Sequence, residues 1–314
     1  MKPAIRFLLC LLWLVPSAGS ADAGLVVPDE ARAGLQLLYE GDLDRAIAFF
    51  RTLQNTQPEH PLGYLLEANA LWWQRWCNSM TISAAGFVDA LPGEESPLDA
   101  SYRALLAAAR TRAQAYLARA PQSAEAYFYL GMTYALEGRL AGLRKETWAT
   151  ASAGKKMRAA LLRARRLDPQ LDDALLGLGL YNYYVVTLSP LVKLLRFLLF
   201  IPGGNKEEGV RQLEQAAARG VLVQAEARFW LGKNLRNYDR DYMSALTQFR
   251  QLVARYPQNP LFHLLIAGLE AQTGSVEAAR RSFARAAQLA VRDCECYQRV
   301  RELAAKGLAQ LGLP

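Results

Sequence analysis

Few side chains in this sequence are of the types that carry out covalent or acid–base chemistry. The only histidines are His60, which follows a proline-containing turn, and His263, which stands among apolar residues. A histidine in such a setting is normally packed or at a helix rim and does not act as a base. The sequence has no glycine-rich phosphate loop, nucleophile elbow or His-Glu-x-x-His motif. We therefore expect neither catalysis nor a cofactor.

The cysteines offer a second kind of chemistry. Beyond the N-terminal segment the chain has Cys77, Cys294 and Cys296, and an odd number leaves one thiol free unless two chains are joined. Cys294 and Cys296 follow Asp293 at an expected helix start, where the helix dipole would lower a thiol pKa. A bridge between residues two apart would be strained, and no histidine is nearby to complete a metal site. We predict that Cys294 and Cys296 are both dispensable.

Cations and amides on two predicted helices could instead hold a ligand. A cation beside amide groups can bind a carboxylate or an acidic peptide. Aromatic side chains on the preceding predicted helix could extend such a site, although Tyr183 could equally belong to the core. The candidate residues for partner binding are Tyr181, Asn182, Tyr183, Arg228, Lys233 and Asn237.

These residues are positioned by a repeated pair of helices. The spacing Ala-x3-Phe-x2-Leu-x4-Pro occurs from Ala46 to Pro58 and again from Ala245 to Pro257. Small residues let two antiparallel helices approach, and the proline ends the second helix. This pattern resembles the tetratricopeptide repeat. The resemblance implies an all-α, right-handed α-solenoid that binds a protein or peptide partner, with no partner specified by the repeats themselves.

About six such pairs account for residues 24–314 as a single helical-repeat domain. A closing helix is expected after Asp293, to about Leu311, and would cover the open end of the stack. The predicted pairs are Glu30–Pro58, Leu62–Pro121, Tyr127–Pro169, Ala174–Ala216, Ala227–Pro257 and Asn259–Ala290.

The central pairs are longer than the first and the last. Gly34 and Ala46, like Ala267 and Ala279, stand twelve residues apart, as the repeat requires. The second, third and fourth pairs have wider spacings, which predicts insertions at about 77–97, 142–155 and 184–206. Because the turns within pairs emerge on one edge of a solenoid, we expect these insertions to touch one another.

The third insertion contains an unusually apolar helix, predicted from Pro190 to Ile201. Its only polar residues are Lys193 and Arg196, so roughly 220° of its circumference is apolar. A single packed neighbour covers about 100°. The other insertions, a second subunit, a ligand or lipid could cover the rest. The residues of this apolar surface are Leu191, Leu194, Leu195, Phe197, Leu198 and Leu199.

Residues 182–213 also resemble a segment of the inclusion body clearance protein family. The likeness is local to this stretch of the chain. It implies no mechanism.

The first residues predict the compartment. Lys2 and Arg6 precede the apolar run Phe7–Val15, and Ala21-Asp22-Ala23 follows it. This is typical of a cleaved signal peptide at residues 1–23, since the apolar run is too short to span a bilayer. The net charge of +8 is spread over many helices, which does not favour nucleic-acid binding.

We therefore expect an exported, periplasmic, tetratricopeptide-like scaffold that binds a protein or peptide in the cell envelope, and homo-oligomers are compatible with it. One alternative is a periplasmic small-ligand or transporter-associated binding protein. Another is a peripheral membrane protein that uses the apolar helix at 190–201.

Overall fold

The computed structural model describes residues 25–83, 88–90, 93, 95–187 and 202–312. Within these ranges the chain forms thirteen α-helices and a two-stranded antiparallel hairpin. The helices are α1 (Asp29–Glu40), α2 (Leu43–Thr56), α3 (Leu62–Asn78), α4 (Pro97–Arg119), α5 (Ala124–Leu143), α6 (Thr147–Leu167), α7 (Ala174–Thr187), α8 (Lys206–Arg219), α9 (Gln224–Asn234), α10 (Tyr242–Arg255), α11 (Pro260–Gln272), α12 (Val276–Leu289) and α13 (Glu295–Gln310).

Each odd-numbered helix from α1 to α11 packs against the even-numbered helix that follows it. The repeated small and apolar residues form these contacts: in α10, Ala245, Phe249 and Leu252 are buried. The α7–α8 pair approaches so closely that a Cβ on Gly179 would lie 2.9 Å from the Gly209 carbonyl oxygen. The predicted all-α solenoid of helix pairs is confirmed.

Side chains at the helix starts explain where many helices begin. The Ser96 side chain accepts a hydrogen bond at the start of α4, and the Asp99 side chain accepts one from the Ser96 backbone N–H, which forms a capping box. Asp241 similarly accepts from the Ser244 backbone N–H at the start of α10. Such caps satisfy backbone donors that the first helical turn leaves unpaired.

The structure describes the central insertions to different extents. In the second pair, strands β1 (Met80–Ile82) and β2 (Val88–Ala90) form the hairpin, with Met80 opposite Ala90. In the fourth pair, α7 continues to Thr187 and α8 begins at Lys206. Residues 188–201, which include the predicted apolar helix and its six surface residues, lie outside the described residues.

The third pair corrects our expectation of an inserted loop at 142–155. Its extra residues lengthen α5 and α6 to 20 and 21 residues, and a turn of only three residues, 144–146, joins them. Alanine-rich sequence continues a helix readily, so the added length adds turns of helix and not loop. The first two of these segments do touch, because the Gly93 N–H donates to the Leu143 carbonyl oxygen at 3.1 Å.

The last helix covers the end of the helix stack, as expected, and it also closes a ring. α13 packs against α12 and also against α3, near the start of the chain. The Tyr297 hydroxyl donates to the Gly41 carbonyl oxygen at 3.0 Å, and Arg299 Nε donates to the Met80 carbonyl oxygen at 2.7 Å. The helix is preceded by Cys294, with no side-chain cap, and not by the expected Asp293 cap.

A disulfide joins the two ends of this ring. Cys77 in α3 is bonded to Cys296 in α13; the two Cα atoms are 5.2 Å apart, and the residues are 219 positions apart in sequence. Cys294 is free. The prediction that Cys294 and Cys296 are both dispensable did not anticipate this bond, because ring closure brings together two cysteines that are far apart in sequence.

Candidate partner-binding site

The candidate site lies where α9 ends. The last turn of α9 passes into a π-helical turn, Leu235–Asp239, before the chain reverses into α10. A π-helical turn adds a residue relative to the α-helix and changes where side chains point, and such turns are frequent at functional sites. Here it places Arg236 and Asn237 next to Lys233, which is one turn earlier.

Three donors from this turn converge on one carboxylate oxygen, Oδ2 of Asp89 in β2. Lys233 Nζ lies 3.0 Å from it, Arg236 Nη2 3.1 Å and Asn237 Nδ2 2.7 Å. Arg236 also donates to the Val88 carbonyl oxygen at 2.7 Å. Two cations and an amide thus form a carboxylate clamp, and the hairpin supplies the carboxylate.

Burial and charge act against each other in the clamp. Burial opposes ionisation of Asp89, but Lys233 and Arg236 outweigh it and lower the carboxyl pKa. Burial likewise lowers the pKa of Lys233, while Asp89 acts in the opposite direction. Asp89 keeps 29% of its side chain exposed, more than either of the cations that it binds.

A cluster of tyrosines lies beside the clamp. Tyr183 and Tyr184 from α7 meet Tyr238 edge to face, with ring centroids 5.7 to 5.9 Å apart. The Tyr183 hydroxyl donates to Asp239 Oδ2 at 2.8 Å, and burial raises its pKa to about 12. Lys206 forms an ion pair with the same Asp239 carboxylate. The cluster therefore ties α7 and α8 to the clamp turn.

The structure brings together only some of the predicted partner-binding residues. Lys233, Asn237 and Tyr183 lie at or beside the clamp. Arg228 is one to two turns away, where it bonds to Gln251 in α10. Asn182 donates to Gln212 in α8 at 2.9 Å.

Tyr181 serves the start of α8 instead. Its hydroxyl donates to the Pro202 carbonyl oxygen at 2.6 Å, and the Arg158 guanidinium lies 5.3 Å from its ring centre. The predicted set of binding residues missed Asp89, Arg236 and Tyr238. Arg236 is adjacent in sequence to the predicted Asn237, so the sequence could have indicated it as a further cation of the site. Nothing in the sequence connects Asp89 with Lys233, 144 positions later.

The centre of the ring is filled and does not form an open groove. Arg139 from α5 pairs with Glu226 from α9, and Asn69 from α3 bonds to both at 3.2 Å. The Arg139 guanidinium lies over the neighbouring rings of Trp72 and Trp230, 5.4 and 5.3 Å from their centres. These contacts join three first helices of the pairs, α3, α5 and α9.

The two histidines occupy structural positions. His60 Nδ1 accepts a hydrogen bond from the Leu62 N–H at 3.3 Å, and its ring packs edge to face on Tyr129. His263 Nε2 bonds to the Pro257 carbonyl oxygen at 3.0 Å. Burial lowers the pKa of both imidazoles. Neither histidine has a carboxylate hydrogen-bond partner among the described residues that would orient it as a general base.

The described part of the chain contains neither a group of metal ligands nor a membrane-spanning helix. Within it, no three His, Cys, Asp or Glu side chains come close enough to hold a metal ion. No described helix combines the length and the apolar character needed to cross a membrane.

Residues 238–292 match the family model of the tetratricopeptide repeat. Among solved structures, the chain is similar to a thermophilic repeat protein of Thermus thermophilus, with 16% identity over 89% of this chain and 97% of that chain and a TM-score of 0.31. It is also similar to yeast Tom70, with 11% identity over 99% of this chain and 67% of that chain and a TM-score of 0.36. No protein of curated function matches it. Identities this low say nothing about function.

Proposed function

We propose that this chain, whose residues 238–292 match the tetratricopeptide repeat, is a non-catalytic scaffold that binds an acidic segment of a protein partner at the Lys233–Asn237 clamp, in the cell envelope. The observation that carries the proposal is the convergence of Lys233, Arg236 and Asn237 on the single Oδ2 atom of Asp89. Charge-assisted hydrogen bonds of this kind select carboxylates.

Asp89 acts in this proposal as an internal competitor for the site. Its carboxylate comes from a short hairpin of three residues per strand. Because a two-stranded hairpin is only marginally stable by itself, a competing ligand can displace it from the clamp. A partner that supplies carboxylates at high local concentration replaces Asp89 without leaving Lys233 and Arg236 unpaired. Exchange avoids the large cost of burying an uncompensated charge.

Location in the cell envelope is supported by two independent features. The first is the signal-peptide pattern of residues 1–23, which lie outside the described residues. The second is the Cys77–Cys296 disulfide, since such bonds persist in oxidising compartments and are rare in the cytosol. Thiol trapping in intact cells tests it: an unmodified Cys77–Cys296 pair is expected in the envelope fraction, and a fully reduced protein in the cytosol would contradict export.

A peptide titration tests the clamp. The probe is a glutamate-rich peptide, compared with its glutamine counterpart, and the proteins are the wild type, Asp89→Asn and Lys233→Gln with Asn237→Ala. Asp89→Asn weakens the internal competitor while keeping a hydrogen-bond acceptor, so we expect it to bind the acidic peptide about tenfold more tightly, equivalent to about 1.4 kcal/mol.

The clamp variant should lose this binding while its circular dichroism stays that of the wild type. Arg166→Gln, an exposed position at the far end of α6, is the matched control and should bind as the wild type does. Equal affinity of all variants for the acidic peptide, or equal affinity for the acidic and the glutamine peptide, would overturn the proposal.

A further inference from the structure

The tight turns between the two helices of a pair differ in the type of residue that adopts a positive φ angle. Four of these turns contain a residue in the left-handed region: Gly41 (φ 89°), Lys145 (φ 60°), Arg240 (φ 55°) and Gly274 (φ 77°). Glycine adopts this conformation without steric cost. A residue with a Cβ is strained in it, because the Cβ comes too close to the following carbonyl oxygen. The first and last pairs follow the rule, and the third and fifth pairs place a cation there instead.

Both cations lie at the surface, without a carboxylate partner among the described residues. Lys145 and Arg240 are exposed, and neither forms an ion pair with a described residue. The carboxylates nearest to them in sequence are already engaged. Glu146 is paired with Arg144 at 2.6 Å, Asp239 is paired with Lys206, and Asp241 accepts a hydrogen bond from the Ser244 backbone N–H at 3.0 Å.

Each of these cations stands beside a large exposed apolar side chain. Trp148, three residues after Lys145, is 60% exposed, and Met243, three residues after Arg240, is 63% exposed. Trp72, Trp73, Trp76 and Trp230 are all buried. A conformationally costly cation next to an exposed apolar residue therefore occurs twice, in two separate turns.

The two turns lie on the same edge of the molecule. The hairpin segment that follows β1 connects them: Gly93 bonds to the Leu143 carbonyl oxygen just before the first turn, and Asp89 bonds to Asn237 within the second. Tyr184, at the end of α7, bonds to Asn234 between them at 2.7 Å. The ends of α5, α7 and α9 are thus side by side.

We propose that this edge, formed by Lys145, Trp148, Arg240 and Met243, docks on the anionic headgroups of a lipid bilayer. Tryptophan is enriched at the boundary between headgroups and acyl chains, and basic side chains place their charge among the headgroups. Glu146, Asp239 and Asp241 each bind another donor of the chain, so Lys145 and Arg240 are available to lipid phosphates. A lipid surface can contact both turns at once, because it is extended and needs no cavity. Such binding would attach the proposed scaffold to the membrane.

Fluorescence quenching by lipid tests the proposal on the mature protein. The probe is a vesicle of phosphatidylglycerol and phosphatidylcholine whose acyl chains carry bromine, which quenches tryptophan on contact. Since the other described tryptophans are buried, quenching reports Trp148. We expect partial quenching of the wild type, none with vesicles of phosphatidylcholine alone, and none for Trp148→Phe.

A second pair of variants separates binding from folding. Lys145→Gly with Arg240→Gly removes both charges and also relieves the left-handed backbone, so the protein should melt no lower than the wild type. Its affinity for the anionic vesicles should fall about fivefold for each charge and about thirtyfold for both.

The matched control is Arg166→Gln with Arg219→Gln, two exposed cations at the opposite ends of α6 and α8, which should leave affinity near that of the wild type. The proposal is overturned if the wild type shows no quenching. It is also overturned if the glycine variant binds as tightly as the control, because the charges of this edge would then not direct binding.

Discussion

Single atoms decide how closely α7 and α8 approach. A Cβ on Gly209 would lie 2.8 Å from the Gly179 carbonyl oxygen and 2.8 Å from the Tyr183 backbone nitrogen. These neighbours are backbone atoms of an adjacent helix, so they cannot move aside as the end of a flexible side chain can. The same contact positions Tyr183 next to the clamp turn. A methyl group on Gly209 would therefore displace Tyr183 and disturb the site without touching the clamp residues.

We predict that Gly209→Ala lowers the free energy of unfolding by about 2 to 3 kcal/mol, because overpacking forces the two helices apart. Gly154→Ala is the matched control, since its new Cβ would meet only Tyr181, at 4.0 Å, in the middle of α6. That substitution should be neutral or raise stability by up to about 1 kcal/mol. Urea unfolding of both variants measures the difference, and equal stabilities would show that α7 and α8 are not in contact at Gly209.

At the scale of elements, the hairpin and α13 make contacts between parts of the chain that are far apart in sequence. The hairpin delivers Asp89 to the clamp, and α13 reaches back to α3 through the Cys77–Cys296 bond. Both elements are attached to the repeat and are not part of its spacing. A bond that closes so long a loop removes many conformations from the unfolded chain, which is one account of why disulfides stabilise.

We predict that Cys296→Ser lowers the free energy of unfolding by about 2 to 5 kcal/mol, the range for loss of a native disulfide. Cys294→Ser, two residues away, should change it by less than about 0.5 kcal/mol, as expected for a site outside such a bond. Chemical denaturation under non-reducing conditions separates the two. A wild type whose stability is unchanged by a reducing agent would contradict the bond.

For the whole molecule, ring closure depends on polar contacts across a seam between the two ends of the chain. Asp42, before α2, is ion-paired with Arg292, before α13, and Asn259 Nδ2 donates to the Tyr39 carbonyl oxygen at 2.8 Å. The hydrogen bond from Arg292 lowers the pKa of Asp42, although burial opposes this. The seam therefore favours the ionised carboxylate in the folded state.

A lowered pKa gives the seam a defined pH dependence. The stabilisation by Asp42 is fully present above the unfolded-state pKa, about 3.9, and is lost as pH falls through the lower folded-state value. We predict that the protection factors for amide hydrogen exchange in α1 and α13, which correct for the intrinsic pH dependence of exchange, fall below about pH 4 before those in α5 and α6. In Asp42→Asn, which can still cap α2, the protection factors of α1 and α13 should be equal at pH 6 and pH 3. A pH response unchanged in this variant would place the sensitivity elsewhere.

The sequence by itself determined the helix pairs, because a small residue, an aromatic and a proline at fixed spacing act through contacts between neighbouring helices. It also indicated Lys233 and Asn237, since a cation and an amide one turn apart on a helix share a face. In the third pair the same reasoning located the extra residues but assigned them to a loop, because spacing counts residues and does not tell whether a helix continues.

Only the tertiary structure decided what fills the clamp, which cysteines pair and how the ends of the chain meet. Asp89 and Lys233 are 144 residues apart, and Cys77 and Cys296 are 219 apart. Contacts over such separations depend on the small rotation that each helix pair adds to the last. A local pattern carries no measure of that sum, so the ring, its disulfide and the internal carboxylate become visible only when the whole solenoid is assembled.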